Sequence, residues 1–203
     1  MVSTISNTDQ SNQSPEINQS PELEITLEDF LQLPETKPAS EYIEGKIYQK
    51  PMPNGEHSTL QTELAIAINQ VAKPKKIAYA FIELRCTFEA RSIVPDISIF
   101  VWERIPRKED GSVANKVNIS PDWIIEILSP EQSINKVMEK IIFAFENGTK
   151  LGWLIDPECK RVMVFQENQM PEIKSQDDQL PALEVMQDWQ LSAADLFSWL
   201  YLG

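Results

Sequence analysis

The chain has a single histidine, two cysteines and 18 basic residues against 31 acidic ones, and no long apolar run. Each scarcity excludes something. One histidine with Cys86 and Cys159 fits no zinc or redox spacing, and reduced thiols of a cytoplasmic protein are the expectation. No stretch approaches the ~20 apolar residues of a membrane span, and the N-terminus lacks the basic region and apolar core of a secretion signal. A formal net charge of -13 weighs against a nucleic-acid partner, because phosphate binding favours a basic surface. Much of that acidity is peripheral. Residues 1–24 carry Asp9, Glu16, Glu22 and Glu24 with no Lys or Arg, and 167–188 carry Lys174 as their one base. Basic clusters stand at Lys73, Lys75 and Lys76 and at Arg104, Arg107 and Lys108.

What remains is an ordinary globular composition, 42% hydrophobic and 24% charged, in 203 residues. That length suits one domain with a full core. Residues 1–24, rich in Ser, Asn, Gln and Pro, have almost nothing to bury and are expected to be a disordered tail before a domain at 25–203. Thr26 can cap a helix that Pro34 stops, and "YIEGKIYQKP" alternates about a glycine like a hairpin. Leu60, Leu64, Ile68 and Val71 recur at helical spacing over 58–72. Strand signals fill 77–89 and 93–102. A polar loop runs over 104–120, of a length that usually serves function or mobility. A buried strand precedes a helix ending at Gly148, two further strands follow, and a helix capped by Ser192 closes the chain. The pattern is α/β (α+β): a mixed central sheet flanked by helices.

Within "PDWIIEILSPEQ" (121–132), Glu126 lies among Trp123, Ile124, Ile125, Ile127 and Leu128. An unpaired carboxylate in such a strand is costly. One reading pairs it with a core arginine such as Arg85. Another joins it to Asp96 of "IVPDISIFVW", a residue that by itself could merely start a strand. Two carboxylates on two strands of one sheet can converge on a hard cation, and Mg²⁺ takes one or two carboxylates while keeping several waters. Lys136 and Lys140 share one face of the following helix. A lysine beside a metal can position water or offset phosphoryl charge, although two solvated surface charges would look the same.

"VPDISIF", "PDWIIEILSP", a helix bearing Lys140 and "GWLIDP", in that order, resemble the Uma-two family. "YIEGKIY", "EHSTL" and "LSAADLFSWL" extend the resemblance over roughly 25–202. The family is restriction-endonuclease-like, was long grouped as a domain of unknown function, and is placed in the PD-(D/E)XK nuclease superfamily. The resemblance implies a Mg²⁺- or Mn²⁺-dependent endonuclease hydrolysing DNA through metal-activated water. Asp96 matches the superfamily's first acid and Glu126 its second, both binding the metal with the carbonyl of Ile127. Leu128 stands where the usual lysine would be, and Lys140 falls on the family's displaced one. Lys136 replaces a common Asp and leaves open which lysine acts.

His57 matches a family histidine and is an accessory candidate, as are the further acids Glu63 and Glu83. The sequence leaves RNA open as the alternative to DNA, and a homodimer would suit cutting both strands, with Phe143, Phe145 or Phe197 at an interface or in the core. The five tryptophans suit core packing better than base stacking. The competing reading is a catalytically inactive nuclease-fold module that binds nucleic acid or a protein partner.

Overall fold

The computed structural model describes residues 25–130 and 132–201. The tail expected over 1–24 lies outside the described residues. Elements follow in the order α1 (Leu27–Gln32), β1 (Ser40–Ile43), β2 (Lys46–Gln49), α2 (Gly55–Lys75), β3 (Ala78–Ile82), β4 (Cys86–Phe88), β5 (Arg91–Ile93), β6 (Ile97–Val101), β7 (Trp123–Ile127), α3 (Ile134–Glu146), β8 (Leu151–Asp156), β9 (Arg161–Gln166), β10 (Glu172–Ser175) and α4 (Ala193–Ser198). Six strands form the main sheet in the order β10-β9-β8-β7-β6-β3, antiparallel except for the β7–β8 pair that α3 connects. A smaller antiparallel sheet runs β2-β1-β5-β4.

Two stretches expected as strands, 77–89 and 93–102, are each divided between the sheets. The first breaks at Glu83, in the left-handed region at φ 48°, where β3 leaves the main sheet and β4 enters the small one. The second breaks at Val94-Pro95-Asp96. Pro95 has no N–H for a ladder, and side chains satisfy the backbone of Val94: Glu41 accepts from its N–H at 2.7 Å, while Lys50 donates to its carbonyl at 2.8 Å. Asp96 therefore lies at the crossing between the sheets, one residue before β6.

The helix expected over 58–72 begins three residues earlier, because Asn54 caps it by accepting from the His57 N–H at 2.9 Å. Strand β10, inside the acidic 167–188 stretch, has no apolar alternation to announce it. The loop over 104–120 is tied down: Ile105 and Val117 are buried, and Val117 bridges to Cys86.

The main sheet buries both faces. Leu60, Leu64 and Ile68 of α2, with α4, cover Ile97, Ile99, Trp123, Ile125 and Ile127. Val137, Ile141 and Ala144 of α3 cover Phe100, Ile124, Leu154 and Phe165. Trp123 and Trp153 meet edge to face at 4.7 Å, and the tryptophans pack in or against the two cores. Phe143 and Phe197 are buried and Phe145 half-buried, so the three supply packing within the chain. Among the described residues, no helix is long and apolar enough to cross a membrane.

Candidate active site: a buried carboxylate–lysine cluster

Alternation along β7 decides where its acid goes. Trp123, Ile125 and Ile127 face α2, so Ile124 and Glu126 face α3. On α3, Val137, Lys140, Ile141 and Ala144 form the buried stripe, so Lys140 is aimed at the sheet. Lys140 Nζ donates to Glu126 Oε2 at 3.1 Å and to Glu41 Oε1, on β1, at 2.8 Å. Lys136, one turn earlier, is exposed, with its ammonium 4.9 Å from the centre of the Tyr48 ring. Of the two candidate lysines, only Lys140 reaches the acids.

Asp96 uses both carboxylate oxygens. Oδ2 accepts from the Ile127 N–H at 2.7 Å, joining the β6 start to the β7 end beside Glu126. Oδ1 accepts from Lys50 Nζ at 2.5 Å, and His57 Nε2 lies 3.4 Å away. His57 Nδ1 shares a hydrogen bond with Ser129 Oγ at 3.2 Å, which orients the ring. Gln61 donates to the Asp96 carbonyl at 2.9 Å. The result is three carboxylates (Glu41, Asp96, Glu126) against two ammonium groups (Lys50, Lys140). Asp96 and Glu126 are each 1% exposed, Lys140 4% and Glu41 5%.

Burial and charge pull the site in different directions. Burial would raise the Asp96 carboxyl, but Lys50, His57 and Lys140 hold it well below the usual carboxylate range. Glu126 is pushed up to about 7 by burial, which Asp96 and Glu41 reinforce and Lys140 and Lys50 oppose. Burial would lower the Lys140 ammonium, yet Glu126, Glu41 and Asp96 outweigh it and raise it above the ordinary value. The two acids thus have separated affinities for protons, as paired groups at reactive sites often do.

Glu126 Oε1 is buried without a hydrogen-bond partner. Such an orphan oxygen beside Asp96 fits a cation ligand. Among the described residues, no group of three or more His, Cys, Asp or Glu side chains is arranged to hold a metal. The side-chain donors number two, Asp96 and Glu126, and a hard cation that keeps its waters accepts so few.

The remaining sequence candidates separate. Glu63 is exposed on α2, away from the cluster. Glu83 is exposed and shares with Asp96, His57 and Lys50 a cavity of about 10 Å³, but its link to Asp96 is through its backbone N–H. Arg85 does not pair with Glu126. It pairs with Glu35 at 2.7 Å and donates to the Ser40 carbonyl, because it stands just ahead of β4, where the chain enters the small sheet. Glu41 and Lys50 were not singled out in the sequence. Each needs a partner from a distant segment, and the one signal was a charged residue beside Tyr42 in a strand that must bury one face.

A cleft of about 580 Å³ opens over the cluster between the β1–β2 hairpin and α3, reached by Glu41, Lys50 and Lys140. Tyr48, Arg91 and Lys136 are among its other linings. Arg91 pairs with Glu44 and stacks on Phe143 at 4.2 Å. None of Lys73, Lys75, Lys76, Arg104, Arg107 and Lys108 lines it. Arg104, for one, is committed to Asp122 at 2.5 Å.

A mixed sheet that brings an acid from β7, an acid at the entry to β6 and a helix lysine together beneath a cleft defines an α+β protein with a restriction-endonuclease-like core. A family model agrees: Uma2, described as "Putative restriction endonuclease", matches residues 27–194, and the chain belongs to this family. Among solved structures it is similar to "a putative nuclease belonging to DUF820" from Anabaena variabilis, at 54% identity and a TM-score of 0.85, covering 87% of this chain and 99% of that one. No curated protein matches the chain.

Proposed function

We propose that this protein is a metal-dependent endonuclease that hydrolyses DNA phosphodiester bonds in the cleft between the hairpin and α3. The observation that carries the reading is the orphan Glu126 Oε1, one residue from the Ile127 N–H that Asp96 holds, in a chain whose family and solved relative both carry nuclease descriptions. Asp96, Glu126 and the Ile127 carbonyl would hold Mg²⁺ or Mn²⁺. Such an ion supplies Lewis acidity, polarising the phosphoryl oxygen and easing the ionisation of water.

The chain's own groups have further parts. Lys140, kept charged by Glu41 and Glu126 and lining the cleft, offers an ammonium where negative charge builds on the phosphoryl group. Glu41 fixes that ammonium and, through the Val94 N–H, the backbone just ahead of Asp96. The Ile127 N–H and His57 set the orientation of the Asp96 carboxylate. On the cleft wall, Lys136 lies over the Tyr48 ring and Arg91 is paired with Glu44, so a nucleic-acid strand would have to take these cations from their present partners to use them on flanking phosphates.

One observation favours the inactive-module reading: Lys50 and Lys140 already neutralise most of the carboxylate charge. Cleavage decides between the two. The full chain is incubated with Mg²⁺ or Mn²⁺ and supercoiled plasmid, single-stranded DNA or single-stranded RNA, beside Asp96→Asn. DNA cleavage that requires the metal and falls at least a thousandfold in Asp96→Asn is expected. Linear product would indicate paired copies cutting both strands, and nicked circles a single copy. Cleavage that survives in Asp96→Asn removes the site assignment. A folded but inert wild type leaves the binding module.

A further inference from the structure

Lys50 is the one residue of the cluster with no place in the reading above, and its surroundings are unusual. Its Nζ is 2.5 Å from Asp96 Oδ1 and its side chain is 9% exposed. It lines two spaces at once, the 580 Å³ cleft and the 10 Å³ cavity that touches Asp96, His57 and Ser129. The smaller space has room for about one water. Asp96 and His57 line only that smaller space, whereas Lys50, Pro51 and Gln132 line both, and of these three Lys50 is the one whose charged end meets Asp96. Its backbone is fixed, with its N–H donating to the Ala39 carbonyl at 2.9 Å and Pro51 following. Movement here is therefore a change of side-chain rotamer, and a lysine stem has several to choose from.

We propose that Lys50 is a displaceable internal cation, which holds Asp96 until a divalent metal takes the carboxylate and then turns into the cleft to meet the substrate phosphate. The inference rests on the proposed metal site. A dication and an ammonium compete for one carboxylate oxygen, and two cations held that close repel strongly in a buried site. With Glu126 ionised, three carboxylates and two lysines leave the cluster one charge negative, so a dication makes it one charge positive, and a phosphodiester restores neutrality. Metal and substrate consequently strengthen each other's binding, and Lys50 is the residue that couples them. It acts as a positioning residue before the metal arrives and as a phosphate ligand after.

The test uses full-length protein stripped of metal, with Lys50→Met and Lys50→Gln beside wild type and Asp96→Asn. Mn²⁺ affinity without nucleic acid is read by titration calorimetry, and melting temperature is followed with and without Mn²⁺. The inference requires Mn²⁺ to bind about tenfold or more tightly to both Lys50 variants than to wild type. The metal-free variants should melt below wild type, because Asp96 loses its ammonium partner and keeps only the Ile127 N–H and His57, and Mn²⁺ should raise their melting temperature by more than it raises that of wild type. KM for DNA should rise more than kcat falls. Equal or weaker Mn²⁺ binding in the Lys50 variants, with binding in wild type, overturns the inference and leaves the metal site standing. No Mn²⁺ binding in wild type or variants removes both. Should the variants fail to fold, the Lys50 ammonium resonance of ¹⁵N-lysine wild type decides: loss of its Asp96-bonded position on adding Mg²⁺ agrees, and no change contradicts.

Discussion

Glu126 is a carboxylic acid at the floor of an apolar sheet, and the pH at which it ionises sets what it costs the fold. Its folded value, raised to about 7 by burial, lies above the ordinary 4.5. The folded chain therefore binds this proton more tightly than the unfolded chain, and the stability so gained is complete below about 4.5 and lost as pH rises through 7. Asp96 runs the other way: held low despite its burial, it contributes stability above its ordinary 3.8 that is lost on acidification. Lys140, raised by its acids against burial, contributes throughout the range below its ordinary 10.5. The fold should be most stable in weak acid and lose on the order of 1–3 kcal/mol between pH 5 and pH 8 through Glu126. Urea unfolding at the two pH values measures this. Glu126→Gln should flatten the dependence, and an unchanged slope in that variant would assign the loss to another group.

Which residues could be read from the sequence follows from how far their evidence reaches. Glu126 and Asp96 are visible because an acid inside an apolar run is anomalous within a few residues. Lys140 emerges from helical spacing together with the family resemblance. Glu41 meets Lys140 across 99 positions of chain and Lys50 meets Asp96 across 46. No local pattern marks either one.

At the scale of elements, Thr26, Ser192 and Gly148 mark helix ends as those residue types should, whereas α2 is legible from its spacing and not from its Asn54 cap. The strands were harder, because a continuous apolar run does not say where the chain changes sheets. Glu83 and the Val94-Pro95-Asp96 bend make those changes, and both are fixed by contacts from other segments. The seating of α3 against β8 is the element contact on which the Lys140 position depends. It requires a bare backbone at Gly152, where an added Cβ would come within 2.8 Å of the Ile141 side chain and 3.0 Å of Phe145. Gly152→Val should therefore cost about 1–3 kcal/mol of stability and shift α3 outward. Because Lys140 rides on that helix, cleavage should fall as well, although the substitution touches no catalytic group. Thermal melts and cleavage rates measured together check both. A variant as stable as wild type would show that α3 tolerates a wider seat.

Over the whole molecule, charge is divided by position. The net value of -13 contrasts with a cleft whose lining is balanced, with Lys50, Arg91, Lys136 and Lys140 against Glu41, Glu44, Glu139 and Glu146. The composition, read alone, argued against a nucleic-acid partner, since it sums charge without regard to where the fold places it. The two sheets meet at Asp96, the helix from the far end of β7 returns Lys140 over Glu126, and the hairpin closes the third side with Glu41 and Lys50. Such a cluster is poor value for stability, because buried ion pairs often do no better than apolar side chains of the same volume. A functional role explains why the chain keeps it. The most direct measurement is the single-turnover cleavage rate of Glu126→Gln against wild type at pH 8 with saturating Mg²⁺, taken on protein whose melting temperature is recorded alongside. A rate at least a thousandfold lower, in a variant that melts at or above wild type, is the expected result. An undiminished rate would contradict the account, and the buried acid would then be a piece of the core.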